Sequence, residues 1–352
     1  MTYAPGPHGY GHPFAPPPPK PGVIPLAPLD LNHVLSGAFG AYRRHWKELL
    51  GITLAAYAAA AALVAGLGTA AWAALSDSWA AMGETPASAD PGLSDLTPLS
   101  LGLGALWLVL SLGLLLAMGL VHAAVAVVVR EAVLGRRAGF GTVWRGAWSR
   151  LGPVLGSVAV PALAGLVPGL LLLVGLFLLV GAMLASLGDD GGAGWAVTGL
   201  LALLLGCATT PLALWIWVRF SLAPTAAVVE SAGALTALRR SAQLVRGSWW
   251  RIFGYTLVML VIVGGVTCLV QMSASLLTQG SFLAVPLAQH ATPGTVFAAA
   301  GTTALASVLL QLLAQAVLGP LQPLTSGLLY VDQRIRRENL APALARAAGP
   351  TA

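Results

Sequence analysis

Charge is what this sequence has least of. Only 9% of its 352 residues are Asp, Glu, Lys or Arg, while 57% are hydrophobic and the mean hydropathy is +0.82. Soluble domains carry about 25% charged residues, so a water-soluble globule is excluded. Cysteine is nearly absent. Cys207 and Cys268 both fall in apolar runs, which excludes a disulfide framework and a thiolate metal cluster and leaves two packing residues. Catalytic signatures are missing as well: there is no nucleophile elbow, zinc-protease helix or kinase set. Gly66 and Gly68 lie inside an apolar helix with no preceding strand, so they do not form a phosphate loop. No enzymatic activity, cofactor or metal centre is expected.

What the chain does have is long uncharged runs. A hydrocarbon core about 30 Å thick takes about 20 apolar residues in helical form. Six runs satisfy this, drawn as Leu49 to Leu75, Leu99 to Val129, Pro153 to Leu187, Trp195 to Val218, Ile252 to Leu277 and Thr295 to Tyr330. The third and sixth exceed one straight crossing and contain Pro161 and Pro168, and Pro320 and Pro323, which would kink each helix or divide it into a crossing and an interfacial piece. The expected architecture is an all-α integral membrane domain over residues 28–340. Before it lies a Pro/Gly-rich segment, 1–27, too poor in apolar residues to fold and without the apolar core of a signal peptide. Its His8 and His12 are not taken as a metal site. A short tail, 341–352, follows.

The charges sort by side. All 18 basic residues fall before span 1, between spans 2 and 3, between spans 4 and 5, or after span 6. The other three loops hold no basic residue and six acids: Asp77, Glu84, Asp90, Asp95, Asp189 and Asp190. Basic residues near span ends are retained in the cytoplasm, so both termini are expected there, in a multi-pass plasma-membrane protein. The net +6 is then +12 inside (18 basic minus 6 acidic) against −6 outside. Asp189 and Asp190, in GDDGGAG, read as a solvated hairpin or a cation site.

Each odd-numbered span is preceded by a basic, amphipathic segment. These are LSGAFGAYRRHWKELLG, FGTVWRGAWSRLGPVLG and LRRSAQLVRGSWWRIFG, ending at Gly51, Gly156 and Gly254, at offsets of 105 (156 minus 51) and 98 (254 minus 156). The pattern predicts three hairpins, each introduced by an interfacial helix. Leu35, Phe39, Tyr42 and Trp46 share one face in the first, and Leu238, Ala242, Val245 and Trp249 repeat that spacing in the third. Arg43, Arg44, Trp46, Lys47, Trp144, Arg145, Trp148, Arg150, Arg239, Arg240, Arg246, Trp249, Trp250 and Arg251 are therefore the candidate contacts to headgroups of anionic membrane lipids. The same residues equally suit simple anchoring and topology. They also suit phosphate and base contacts in a nucleic acid, but a segment that runs directly into an uncharged span is held at the headgroups, and no nucleic-acid partner is expected.

Ionisable groups are absent from the span interiors except for His122, and the remaining polar candidates are Gln271, Gln311 and Gln315, with Gln322 between two prolines. His122 lies eight residues from Arg130, about 12 Å along a helix. Such groups mark a transport route or hydrogen-bond helices together. Lone Thr209 and Thr210 precede Pro211 and suit either a flexible kink or carbonyls freed by the proline.

Three segments carry a resemblance. PLAPLDLNHVLSGAFGAYRRHWKELL near the amino terminus, RFSLAPTAAVVESAGALTALRRSAQLVRGSWWRIFG (219–254) and LLYVDQRIRRENL (328–340) are similar to the actinobacterial glycerophosphoryl diester phosphodiesterase membrane domain family. The resemblance implies a helical anchor or partner. Some members are fused to a phosphodiesterase barrel, and this chain lacks the length and the paired acids and histidines that such a barrel requires, so no catalytic residue is carried over. The expected function is a non-catalytic scaffold associated with lipid or the envelope; the alternative is a small-molecule or lipid transporter.

Overall fold

A computed structural model describes residues 22–25, 27–84, 93–186, 193–284, 306–307 and 309–348. Every regular element among them is an α-helix, the arrangement in which a lipid-exposed backbone satisfies its own polar groups. In chain order they are α1 (Leu31–Arg44), α2 (Trp46–Glu84), α3 (Leu93–Val133), α4 (Phe140–Ser149), α5 (Leu151–Ser186), α6 (Ala193–Phe220), α7 (Ala223–Val229), α8 (Ala234–Val245), α9 (Trp249–Ala284), α10 (309–318), α11 (Leu321–Glu338) and α12 (Ala341–Ala348).

Six stretches are long and apolar enough to cross a membrane: Trp46–Leu67, Leu112–Val133, Leu151–Met183, Ala193–Val229, Trp249–Leu276 and Leu309–Glu338. The chain is an all-α polytopic membrane protein. The fourth and sixth stretches end differently from those drawn on hydropathy. The fourth stretch continues past Val218 through the short α7, whose Ala223 to Val228 are all buried. The sixth breaks at Gly319 and Pro320 and resumes as α11. Pro320 and Pro323 sit at the cap and first turn of that helix, where a missing N–H costs nothing. Pro161, Pro168 and Pro211 stay inside α5 and α6. Thr209 and Thr210 donate to the Leu205 and Gly206 carbonyls, at 2.8 Å each.

The core forms where α3, α7 and α11 meet, with α1, α5, α8 and α9 packed around them. Small residues make this possible. In α3 the run Ala123 to Val129 is buried throughout, and a Cβ on Gly327 of α11 would stand 2.8 Å from the Val129 side chain. The α5/α6 pair has a reciprocal crossing, since a Cβ on Gly175 would meet the Gly199 carbonyl at 2.8 Å and one on Gly199 would meet the Gly175 carbonyl at 2.9 Å. Close approach of this kind replaces the hydrophobic drive that lipid removes. Away from the core the bundle presents Leu163, Leu173, Phe177, Met183, Leu204 and Leu276, all more than half exposed, a surface suited to acyl chains.

Amphipathic α1, α4 and α8 stand directly ahead of α2, α5 and α9, as the internal repeat predicts. Their apolar faces do not all point outward, however. Leu238 and Val245 of α8, expected at the headgroups, are 7% and 2% exposed, because α8 packs on α5 and α7. Amphipathicity fixes which face seeks an apolar surface, and a protein core serves as well as lipid. In α1 the buried stripe is Val34, Gly37, Ala38 and Ala41, small residues seated on α11, while Phe39 remains 43% exposed.

The amino-terminal boundary also moves. Residues 1–21, with His8 and His12, and residues 187–192, with Asp189 and Asp190, lie outside the described residues. Val23 and Ile24, placed within the unfolded segment, are instead docked: Ile24 is fully buried and the Val23 amide donates to the Ala132 carbonyl at 3.3 Å. Val23, Ile24 and Leu29 supply the apolar side chains that dock this segment.

Candidate functional site

The basic side of the bundle carries two ion clusters on α11. Asp332 is fully buried. Its carboxylate accepts from the Leu29 amide at 2.8 Å and from Arg336 Nε at 3.0 and 3.1 Å, with Arg251 3.3 Å away. Arg251 and Arg336 also donate to the Leu29 carbonyl, so both backbone groups of Leu29 are held. On the opposite flank of α11, two residues out of step with Asp332 and Arg336, Glu230 accepts from Arg240 Nε at 2.8 Å and from the Tyr330 hydroxyl at 2.6 Å. Glu338 accepts from Arg334 Nε at 2.8 Å and also pairs with Arg240. Burial works to lower the Arg240 guanidinium, and the hydrogen bonds and charges of Glu230 and Glu338 outweigh it and raise it. These clusters join the segment before α1, the end of α7, α8 and the start of α9 to one helix.

The predicted headgroup residues therefore divide into two groups. Arg240 and Arg251 direct their donors into the chain. Arg44 donates to the Gly135 carbonyl and Arg150 to the Ser231 carbonyl, at 3.2 Å for the latter. Outward lie Arg43, Lys47, Arg145, Arg239 and Arg246, along with Trp46, Trp148 and Trp250, which are 48%, 52% and 77% exposed. Lys47 sits over the Trp46 ring at 5.6 Å. Trp144 is half-buried and stacks on Phe140 at 6.0 Å. Trp144 and Trp148 overhang an apolar groove of about 350 Å³ between α2 and α3.

A second groove, of about 450 Å³, opens between the ends of α6 and α8 and the start of α9. Trp215, Arg219, Arg246, Gly247 and Trp249 line it. Only Arg246 and Trp249 of these were candidates from sequence; Arg219 and Trp215 were missed because they close a span rather than introduce one.

The intramembrane polar candidates do not converge as a set. His122 lines a partly open cavity of about 100 Å³ with Trp217, Ser221, Thr256, Gln322 and Ser326. Gln271, Gln311 and Gln315 are not among its walls: Gln271 is exposed on α9, and the other two are half-buried on α10. The partner of His122 is on its own helix, since Nδ1 lies 2.9 Å from the Met118 carbonyl, a contact that puts the proton on Nδ1. The three hydroxyls bond to carbonyls within their own turns at 2.7 to 3.0 Å. Further along the same face of α11 as Gln322 and Ser326, Gln333 is buried with neither amide atom paired among the described residues.

Spacing held some of this. Asp332/Arg336 and Arg334/Glu338 are i, i+4 pairs on one helix, readable as such. Nothing local ties Glu230 to Tyr330, or Leu29 to Asp332 across 303 positions.

Residues 51–326 match a family described as "Domain of unknown function (DUF7847)". The match covers 276 of 352 residues (326 minus 51 plus 1), and the chain belongs to that family. No curated protein and no solved structure matches it.

Proposed function

We propose that this member of the DUF7847 family is a non-catalytic scaffold of the plasma membrane, with both termini in the cytoplasm, that associates with anionic lipid at the inner leaflet. The observation that carries this reading is the set of exposed cations and indoles at the entrances to α2, α5 and α9. Arg43 closes α1 ahead of Trp46 and Lys47 in the first turn of α2, Arg145 and Trp148 lie on α4 ahead of α5, and Arg239 lies on α8 ahead of Trp250 in the first turn of α9, all of them exposed. Each cation near an anionic leaflet contributes about 1 kcal/mol, and indole rings favour the interface. The resemblance to the phosphodiesterase membrane domain supports a role as anchor or partner in lipid or envelope homeostasis. The test uses nanodiscs of mixed phosphatidylglycerol and phosphatidylcholine. Phosphatidylglycerol is expected to be enriched around the wild type and depleted around a variant with Arg43, Lys47, Arg145 and Arg239 changed to glutamine. Equal lipid shells would refute leaflet recognition, and a deletion strain with unchanged envelope lipids would refute the homeostatic role.

The His122 cavity supports a second reading, a lipid or small-molecule transporter. A helix-lined cavity that holds several polar side chains near proline-interrupted spans is the kind of place where such sites form. On this reading, proteoliposomes would expose inner-leaflet fluorescent phosphatidylglycerol to an external quencher faster than empty vesicles, and His122→Phe or Gln322→Leu would abolish the difference. Rates equal to those of empty vesicles dismiss it for that lipid.

A further inference from the structure

We infer that the groove between α6, α8 and α9 binds a phosphate group, presented either by a phospholipid headgroup or by free phosphate. The inference rests on the inner-leaflet reading above and gives it one specific site.

Two guanidiniums face this groove without a carboxylate partner among the described residues, although Arg240, Arg251, Arg334 and Arg336 nearby all have one. Arg219 stacks on the Trp215 ring at 4.7 Å, which fixes the guanidinium plane and leaves its edge donors to meet an acceptor. Its backbone is tied to α8 through the Ser241 hydroxyl, 2.9 Å from the Arg219 carbonyl. Arg246 is exposed, and its side chain has no partner among the described residues. The third donor is Trp249. Its indole nitrogen is buried without an acceptor among the described residues, while its ring is held against Phe253 at 5.1 Å and Trp250 at 4.8 Å. An indole N–H shut off from water and left unbonded is costly; a small turn of the ring that brings it into the groove this residue lines would let a bound acceptor remove that cost.

Backbone electrostatics favour the same charge. The first intrahelical bond of α9 runs from Ile252 to Ser248 at 3.1 Å, leaving the N–H groups of residues 249–251 as the usual orphans of a helix start, where partial positive charge collects. The end of α8 would oppose this with its last carbonyls. Arg337 covers them: it donates to the Gln243 and Arg246 carbonyls and to the Ser248 hydroxyl. That guanidinium also braces the turn at Gly247, whose φ of +81° suits glycine. Among the described residues, no acidic one lines the groove. Paired arginines with a rigid donor and a helix start match the several oxygens of a phosphate better than a single carboxylate.

The test is calorimetric titration of the full-length protein in a neutral detergent with three probes: dihexanoyl phosphatidylglycerol, inorganic phosphate, and dihexanoylglycerol, which lacks phosphate. At least one phosphate probe is expected to bind and dihexanoylglycerol is not. Arg219→Gln and Arg246→Gln should each weaken binding tenfold or more, Trp249→Phe several-fold, while Arg246→Lys retains most of it. Selective binding of the lipid probe assigns the site to headgroups, and equal or tighter binding of inorganic phosphate assigns it to free phosphate. Unchanged affinity in Arg219→Gln, Arg246→Gln and Trp249→Phe overturns the site, as does equal binding of dihexanoylglycerol. Trp249→Phe keeps the packed ring, so it decides the matter even where an arginine variant misfolds. If neither phosphate probe binds while phosphatidylglycerol is still enriched in nanodiscs, the groove fails alone; if enrichment is absent too, the leaflet reading fails with it.

Discussion

Replacing Asp332 tests the claim that an ion cluster, and not apolar packing alone, locks the amino-terminal segment to the bundle. The carboxylate is fully buried and serves two guanidiniums and the Leu29 amide. Asp332→Ala would strand both cations and orphan the amide. Removing one partner of a buried ion pair costs about 3 to 5 kcal/mol. Arg251 and Arg336 are 26% and 33% exposed, so water recovers part of their solvation and the lower end applies, about 3 kcal/mol. Asp332→Asn keeps an acceptor for Leu29 but loses the charge, and should cost about 1.5 to 2 kcal/mol. Equilibrium unfolding in mixed micelles measures both. Hydrogen exchange adds a local readout, since the Leu29 amide should lose protection more in the alanine variant than in the asparagine variant. The reasoning is refuted if both variants lie within about 0.5 kcal/mol of wild type, the range of an ordinary surface change, or if Leu29 exchange is unaffected.

Gly199→Leu should destabilise the α5/α6 pair by about 1 to 3 kcal/mol through overpacking, because its Cβ would meet the Gly175 carbonyl at 2.9 Å, whereas Gly165→Leu, with open space at its Cβ, should be tolerated; comparable unfolding midpoints would sink this. His45, at the α1/α2 break, is 1% exposed with Nε2 unpaired among the described residues, and its pKa is lowered, first by burial, with Glu48 and Glu131 opposing and Arg44 and Arg137 assisting. The folded state therefore resists the proton that the unfolded chain accepts near pH 6.5, so stability should be full above that pH and decline as pH falls below it. His45→Gln should flatten the decline between pH 7 and 5.5 in unfolding titrations, and an unchanged slope assigns it to other groups. Orientation is checked by single cysteines introduced into a variant lacking Cys207 and Cys268: position 239 should react with an impermeant thiol reagent only in inverted vesicles and position 189 only in intact cells, and the opposite pattern reverses the assigned topology.

Helix type and span number were legible because they depend on composition and length, which lipid enforces without reference to the rest of the chain. The entrance helices were legible for a similar reason, since a 3.6-residue period is local. What periodicity does not encode is the identity of the apolar surface that receives a face. Leu238 and Val245 read as membrane-facing until α7 is placed beneath them, and α7 itself, APTAAVV, is too short and too small in its side chains to stand out from a loop. The ion clusters were hidden for a different reason. Sorting charges by side of the membrane counts Glu230, Asp332 and Glu338 as a minority on the basic face, whereas their partners lie up to 303 positions away. Of the site, Arg246 and Trp249 were accessible through the entrance motif, and Arg219 became one with them only through the crossing of α6 and α8.

That division changes how a charge-removal experiment on this protein must be designed. Arg239, Arg240 and Arg246 are neighbours in sequence and would naturally be neutralised together, yet they do three different jobs. Arg239 points outward. Arg240 is bound between Glu230 and Glu338, so Arg240→Gln removes one of the two cations that bridge these carboxylates, Arg334 being the other, and acts through the fold. Arg246 stands at a groove without a carboxylate partner among the described residues. Lipid lost from a triple variant would therefore report on folding, leaflet attraction or a phosphate site without separating them. Arg219→Gln and Arg246→Gln disturb no ion pair seen in the structure, which makes them cleaner probes of recognition than any neighbouring arginine; Arg240→Gln belongs with Asp332→Asn among the probes of assembly. If lipid retention follows the first pair and unfolding free energy follows the second, the one-sided charge from which the orientation is proposed is also what holds the chain together and what it presents to its ligand, through different residues in each case.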